Sequence, residues 1–196
     1  MPRTARLVHR LAYLLAAVLF AVMSMLGQLA ARASSDSFNV YVPIVLVVPA
    51  SSRSSMAEQV VELTNQQRRQ NGCNVALTLS PQLSASAYAH SEDMALHNIF
   101  GHNGSDGSTM VSRIEQTGYS YSQIAENIAA GQSTPQDVVA GWMGSAGHRE
   151  NILNCSLREI GIGYYDQPDD QANVQLEGGK QGGPYRYYWT QDFGTH

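Results

Sequence analysis

Three ionisable side chains stand in settings that suit chemistry: His102 in Phe100-Gly-His-Asn103, Glu126 in Ala125-Glu-Asn-Ile-Ala129, and His148 in Ser145-Ala-Gly-His-Arg149. Each histidine directly follows a glycine, whose missing side chain lets the backbone carry an imidazole close to other groups. Glu126 lies in the largely apolar run Ile124–Ala130, where a carboxylate must find a partner if it is buried. An imidazole can move protons near neutral pH or ligate a metal, and a carboxylate can act as general base. Taken singly, each is also what a turn histidine or a solvent-facing glutamate looks like.

Other chemistries are excluded by spacing. His148-Arg-Glu150 is not the His-Glu-x-x-His of a zinc protease. Ser145 has Met143 two residues before it where a nucleophile elbow requires glycine, and no strand precedes it. His90 and His97 share a helix face but lie seven residues apart, too far for two ligands of one ion, so they read as surface or core residues.

The elements that must position these residues begin at Ser55. Ser55 and Glu58 form a capping-box pattern, and Met56, Val60, Leu63 and Gln67 follow at helical spacing until Gly72, predicting a helix over 56–71. Ser80-Pro81 opens a second helix reaching His97, with Leu83, Ala87, His90 and Met94 on one face. A glycine-rich turn over 101–108 precedes a short helix at Met110–Gln116. Thr134-Pro135 opens another helix, carrying Val138, Val139, Trp142 and Met143, which Gly147 is expected to break before a further turn at His148–Leu153. Two strand-like runs, Glu159–Tyr165 and Tyr185–Phe193, flank a polar loop and could pair as an antiparallel hairpin with a long connection. The tyrosines and Trp189 of these runs read as sheet packing. Helices first and strands last predict an α+β fold with helices packed on an antiparallel sheet.

The 196-residue chain suits one domain with an extension at one end. Arg3, Arg6 and Arg10 precede the apolar run Leu11–Ala30, and Ala31-Arg32-Ala33 supplies a small-x-small cleavage pattern. Residues 1–33 therefore read as a signal peptide, or else as a retained N-terminal anchor, the only predicted contact with a membrane. Both readings place the remainder outside the cytoplasm, secreted or at the surface. Residues 34–54 read as an extension and linker in which Pro43 and Pro49 limit Phe38–Pro49 to an edge strand or extended arm. Beyond residue 33 eight basic residues face 16 acids, a formal charge of −8 that argues against nucleic acid as a partner.

Cys73 and Cys155 are the only cysteines. In an exported chain an isolated pair is most simply a disulfide; two buried thiols or two metal ligands are the alternatives.

Taken in order, these segments resemble the CAP superfamily of cysteine-rich secretory, antigen 5 and pathogenesis-related proteins, in its bacterial SCP-like extracellular branch. The resemblance spans about residues 55–196. It rests on Thr64-Asn-Gln-Gln-Arg68, Leu79-Ser-Pro-Gln-Leu83, Ala89-His-Ser-Glu-Asp-Met94, His102 with Asp106-Gly-Ser108, and Ala125-Glu-Asn-Ile-Ala129. It continues through Gly141-Trp-Met-Gly-Ser-Ala-Gly-His-Arg-Glu-Asn-Ile-Leu153, Glu159-Ile-Gly-Ile-Gly-Tyr164 and Tyr188-Trp-Thr-Gln191. The resemblance implies a three-layer α-β-α sandwich with a central antiparallel sheet and an open cleft lined by His102, Glu126, Ser145 and His148. Relatives with two histidines and two glutamates hold zinc or another divalent ion. Here Ser145 stands about where the second glutamate belongs, and Glu150 lies beyond the histidine, so a site on His102 and His148 would bind metal weakly and leave positions open to water.

Two functions follow from that resemblance. The first is a non-enzymatic extracellular module binding a lipid, glycan or protein. The second is a metal-dependent hydrolase or peptidase, with Glu126 as catalytic base on a water held by His102 and His148. A structural or adhesive role, with Phe38–Pro49 as arm or anchor, is a third.

Overall fold

The computed structural model describes residues 55–196; the expected signal peptide and linker lie outside the described residues. The elements are α1 (Met56–Gln70), β1 (Thr78–Leu79), α2 (Pro81–Leu96), β2 (Ile99–Phe100), α3 (Met110–Gln116) and β3 (Gln123–Ala130). Then follow α4 (Pro135–Gly144), α5 (Ala146–Leu153), β4 (Glu159–Asp166), β5 (Val174–Leu176), β6 (Gln181–Gly182) and β7 (Tyr187–Thr195).

The predicted caps hold. Ser55 and Glu58 form a reciprocal capping box at α1, and Ser80 caps α2 with Pro81 in the first turn. The buried face of α1 differs from the predicted apolar row, because Thr64, Asn65 and Arg68 go inside with Val60. These polar groups are buried because they bond to backbone. The Arg68 guanidinium donates to the carbonyls of Val75, Ile152, Asn154 and Leu157 at 2.8–3.2 Å. Asn65 exchanges two bonds with the Leu77 backbone. Beside this clamp the Cys73–Cys155 disulfide ties the end of α1 to the loop after α5.

The central sheet runs β1-β4-β7-β3. Its three long strands are antiparallel, with Glu159 opposite Gly194 and Asp166 opposite Tyr187, so the two closing runs of the sequence pair as expected. Two-residue β1 joins β4 in parallel. Alternation along β4 and β7 builds two different faces. Ile160, Ile162, Trp189 and Phe193 point to one side and pack with Val60, Val138, Trp142 and Ile152 of the outer helices and with Leu157 of the loop before β4. On the other side Tyr188 and Ile128 meet Met94 and Ala95 of α2. The result is a three-layer α-β-α sandwich.

Glycines set how closely α2 approaches that second face. A Cβ at Gly163 would fall 2.1 Å from the Ala87 carbonyl oxygen, and one at Gly161 would fall 2.0 Å from the Leu83 carbonyl carbon. The Ile-Gly-Ile-Gly pattern of β4 is therefore a contact surface for helix backbone.

Three features depart from the sequence reading. Residues 123–130 form a full strand, which pairs with β7 over its whole length. The break between α4 and α5 falls at Ser145, with extended φ −98° and ψ 130°, and Gly147 lies inside α5. Thus His148 sits on a helix and not in a turn. Last, the polar loop contains β5 and β6, which join β2 in a separate small sheet of order β2-β5-β6.

Candidate functional site

Glu126 occupies the middle of β3 on the side facing α2, with its side chain 2% exposed. His102 follows the short strand β2, and its Nδ1 lies 2.8 Å from Glu126 Oε1. The second oxygen, Oε2, accepts from Arg113 Nη2 at 2.7 Å. Arg113 projects from α3, is itself buried, and also donates to the carbonyls of His102 and Ser108 at 3.2 Å. One guanidinium therefore holds the carboxylate and the loop that carries the imidazole. Asn151 of α5 donates to the Glu126 carbonyl and to Asn127 Oδ1, tying α5 along β3. This brings His148 to the same hollow as His102.

The two imidazoles line one open cavity of about 280 Å³, together with Phe100, Gly101, Ile128, Leu176 and Glu177. Glu126 lies beneath it, behind His102. Ser145 is half-buried at the α4–α5 junction and is not among the lining residues. Glu150 is exposed on α5. His90 is a core residue, fully buried with Nε2 2.9 Å from the Gly101 carbonyl oxygen, whereas His97 is exposed beside Asp93.

Electrostatics divide the two histidines. The Glu126 hydrogen bond raises the His102 pKa despite its burial. Burial lowers that of His148, and the neighbouring His102 charge lowers it further. For Glu126, burial alone pushes upward, but His102, His90 and Arg113 outweigh it and keep the carboxyl below its ordinary value. Asp192 stands directly opposite Glu126 across the β3–β7 pair, fully buried. Burial and the Glu126 charge push its pKa well above the ordinary carboxylate value.

Three of these contributors escaped sequence reasoning. Arg113 is a lone base in a seven-residue helix, with nothing in its spacing to show that it turns inward. Asp192 left a weak signal, since an acid inside Tyr-Tyr-Trp-Thr-Gln-Asp-Phe is costly if that strand is buried. Glu177 left none; it arrives from the β5–β6 turn, where its Oε1 accepts from the His102 N–H at 2.6 Å.

Both Glu126 oxygens are engaged, so this carboxylate orients His102 and leaves the imidazole Nε2 for the cleft. The donors do not fit a zinc held by protein ligands, because two imidazoles fall short of the three such a catalytic site uses. Among the described residues no group of three or more His, Cys, Asp or Glu side chains is placed to share an ion. A metal here would keep mostly water around it.

The family model described as the cysteine-rich secretory protein family, CAP, matches residues 61–193, more than half of the chain. The chain belongs to the CAP family. This CAP protein is 43% identical over 116 residues to the uncharacterized protein YkwD of Bacillus subtilis (strain 168), covering 59% of this chain and 45% of that one. Among solved structures, an extracellular SCP-domain protein from Bacillus anthracis superposes with a TM-score of 0.59 at 28% identity, covering 72% of this chain and 40% of that chain. An outer surface protein of Borrelia burgdorferi gives 0.57 at 19% identity over 73% of this chain and 96% of its own, a likeness of fold alone. The CAP chain thus spans less than half the length of YkwD and of the B. anthracis protein. Among the described residues no helix is long and apolar enough to cross a membrane.

Proposed function

We propose that this CAP protein is exported and works outside the cytoplasm as a non-enzymatic binding module, its ligand entering the cavity between His102 and His148. Export is supported by the basic and apolar N-terminus with Ala31-Arg32-Ala33, by the disulfide, and by the extracellular B. anthracis relative. The observation that carries the binding reading is the engagement of Glu126 by both His102 and Arg113. A carboxylate so neutralised lacks the free oxygen and raised pKa that a general base requires. It serves well, however, to fix an imidazole as a hydrogen-bonding group at a cavity wall.

Cavity size narrows the ligand. About 280 Å³ lies at the small end of ligand pockets, so this hollow by itself takes one residue-sized group. The group that enters is then one sugar, one side chain or one small molecule of similar size. The test is binding of the full chain to immobilised glycans and peptides, compared with His148→Trp, which fills the cavity from the α5 side. Binding that the tryptophan abolishes supports the reading. Binding it leaves unchanged, or steady hydrolysis of a bound ligand by the wild-type chain, refutes it.

A further inference from the structure

Glu177 offers the cleft more than its bond to the His102 N–H. Its carboxylate stands at the junction of two cavities: the 280 Å³ one shared by the imidazoles, and a neighbour of about 310 Å³ lined by Asn103, Ser105 and Gln175. Phe100, Gly101, Leu176 and Glu177 line both, so the hollows adjoin along the β2–β5 ledge. Glu177 is held there by the His102 N–H at 2.6 Å and by the bare backbone of Gly101, where a Cβ would fall 2.6 Å from Glu177 Cγ. A larger residue at 101 would displace it.

The charges around it are unequal. Glu126 is neutralised by Arg113, whereas among the described residues no lysine, arginine or histidine side chain lies within ion-pair distance of Glu177; the nearby charge it acts on is the His102 imidazole, whose pKa it helps raise. The other groups lining the second cavity are amides, a hydroxyl, backbone and apolar carbon. Glu177 is thus the one carboxylate lining the two hollows, beside an apolar wall of Phe100, Leu176 and Ile128. An aliphatic chain ending in a cation matches both surfaces, since a lysine-type stem covers apolar carbon while its ammonium stays at a carboxylate. The acidic balance beyond residue 33, eight bases against 16 acids, draws such cations and repels anions.

We infer that Glu177 selects the ligand: the cleft takes an aliphatic primary ammonium, with the stem on Phe100 and Leu176 and the ammonium on the free side of the Glu177 carboxylate. This rests on the binding reading above and names its ligand class. The ammonium could belong to a lysine within a peptide or to a free diamine.

The experiment follows backbone amide NMR shifts of the full chain at pH 8 during titration with N-acetyl-lysine amide, N-acetyl-norleucine amide, cadaverine and N-acetylglucosamine. Glu177→Gln is run alongside, because its amide oxygen can still accept from the His102 N–H while its charge is gone. Lysine amide should move Gly101, His102 and Glu177 and bind about fivefold tighter than norleucine amide, a difference that Glu177→Gln and added salt both erase. Cadaverine binding as well as lysine amide assigns the site to free amines, and weaker cadaverine binding assigns it to lysine in a peptide; either supports the inference. Equal affinity for lysine and norleucine amides, or no effect of Glu177→Gln, overturns it. Shifts with N-acetylglucosamine alone overturn the inference and leave the binding reading standing. No shift with any probe, together with failure of the glycan and peptide arrays, removes both.

Discussion

Replacing Arg113 by methionine should be the most damaging single change at the cleft that leaves its shape nearly intact. Arg113 is 7% exposed, and it gives one hydrogen bond to Glu126 Oε2 at 2.7 Å and two to loop carbonyls. Methionine fills a similar volume but leaves the 2%-exposed Glu126 side chain with His102 alone. Removing one partner of a buried ion pair costs about 3–5 kcal/mol, because the other charge stays desolvated. In a domain of this size that is a fall in Tm of roughly 10–15 °C. The loss should depend on pH, and the sign can be worked out. In the wild type Glu126 lies below its ordinary value, so its contribution is present above the unfolded pKa and lost as pH falls through the folded one. In Arg113→Met the guanidinium's share of that lowering is gone, so the Glu126 pKa moves up. Its folded form then takes up a proton, and the penalty shrinks as pH falls from 7 toward 5. Adding Glu126→Gln to Arg113→Met should recover most of the loss at pH 7. Urea unfolding at pH 7 and pH 5 for the wild type, single and double variants measures all of this. A loss under about 1 kcal/mol at pH 7, or an equal loss at both pH values, would refute the account of a guanidinium holding a buried charge.

The histidines should titrate apart: in NMR, His102 protonates at higher pH than His148, and Glu126→Gln brings His102 down, removing the cause of its rise. His102 accordingly adds stability below its unfolded pKa that disappears as pH rises through the folded one, which pH-dependent unfolding of wild type against Glu126→Gln will show. Gly163→Ala should cost about 3 kcal/mol or more in chemical denaturation, since its methyl group meets α2 backbone that cannot move aside as a side chain would. Replacing Cys73 and Cys155 by serine opens a loop of 82 residues, for which the chain-entropy model gives about 4–5 kcal/mol as an upper figure; denaturation of the double variant measures it.

The sequence was legible wherever a local rule also decided the tertiary outcome. Capping residues mark helix starts because the backbone amides at those ends need a partner whatever packs nearby, and Ser55, Ser80 and Thr134 all accept one. The β4–β7 pair was readable because two strand-rich runs joined by a polar, glycine-rich loop pair most simply with each other. The strand at 123–130 was hidden by Glu126 and Asn127, polar residues in its middle that are buried only because Arg113, His102, Gln191 and Asn151 reach them from other elements. Their distances along the chain are not periodic, so no pattern announces them. The same holds on α1, where Arg68 goes inside to meet four carbonyls from distant loops.

The polar strand centre also explains why the resemblance brings residues together without assigning their roles. His102, Glu126 and His148 do converge, but a family likeness carries side-chain identity and not side-chain occupancy. Glu126 could be a base, a ligand or a strut, and the residue that bears on the choice, Arg113, lies one helix away. Asp192 makes the same point from below. Two carboxyls face each other across β3 and β7: burial and the Glu126 charge push Asp192 upward, while His102, His90 and Arg113 hold Glu126 down. Glu126 lies against His102 and leaves that imidazole's second nitrogen for the cleft. The hydrogen-bonding character of this cleft wall is therefore set by a charge balance that begins in the sheet and ends at the His102 ring, with Arg113 as its buried cation.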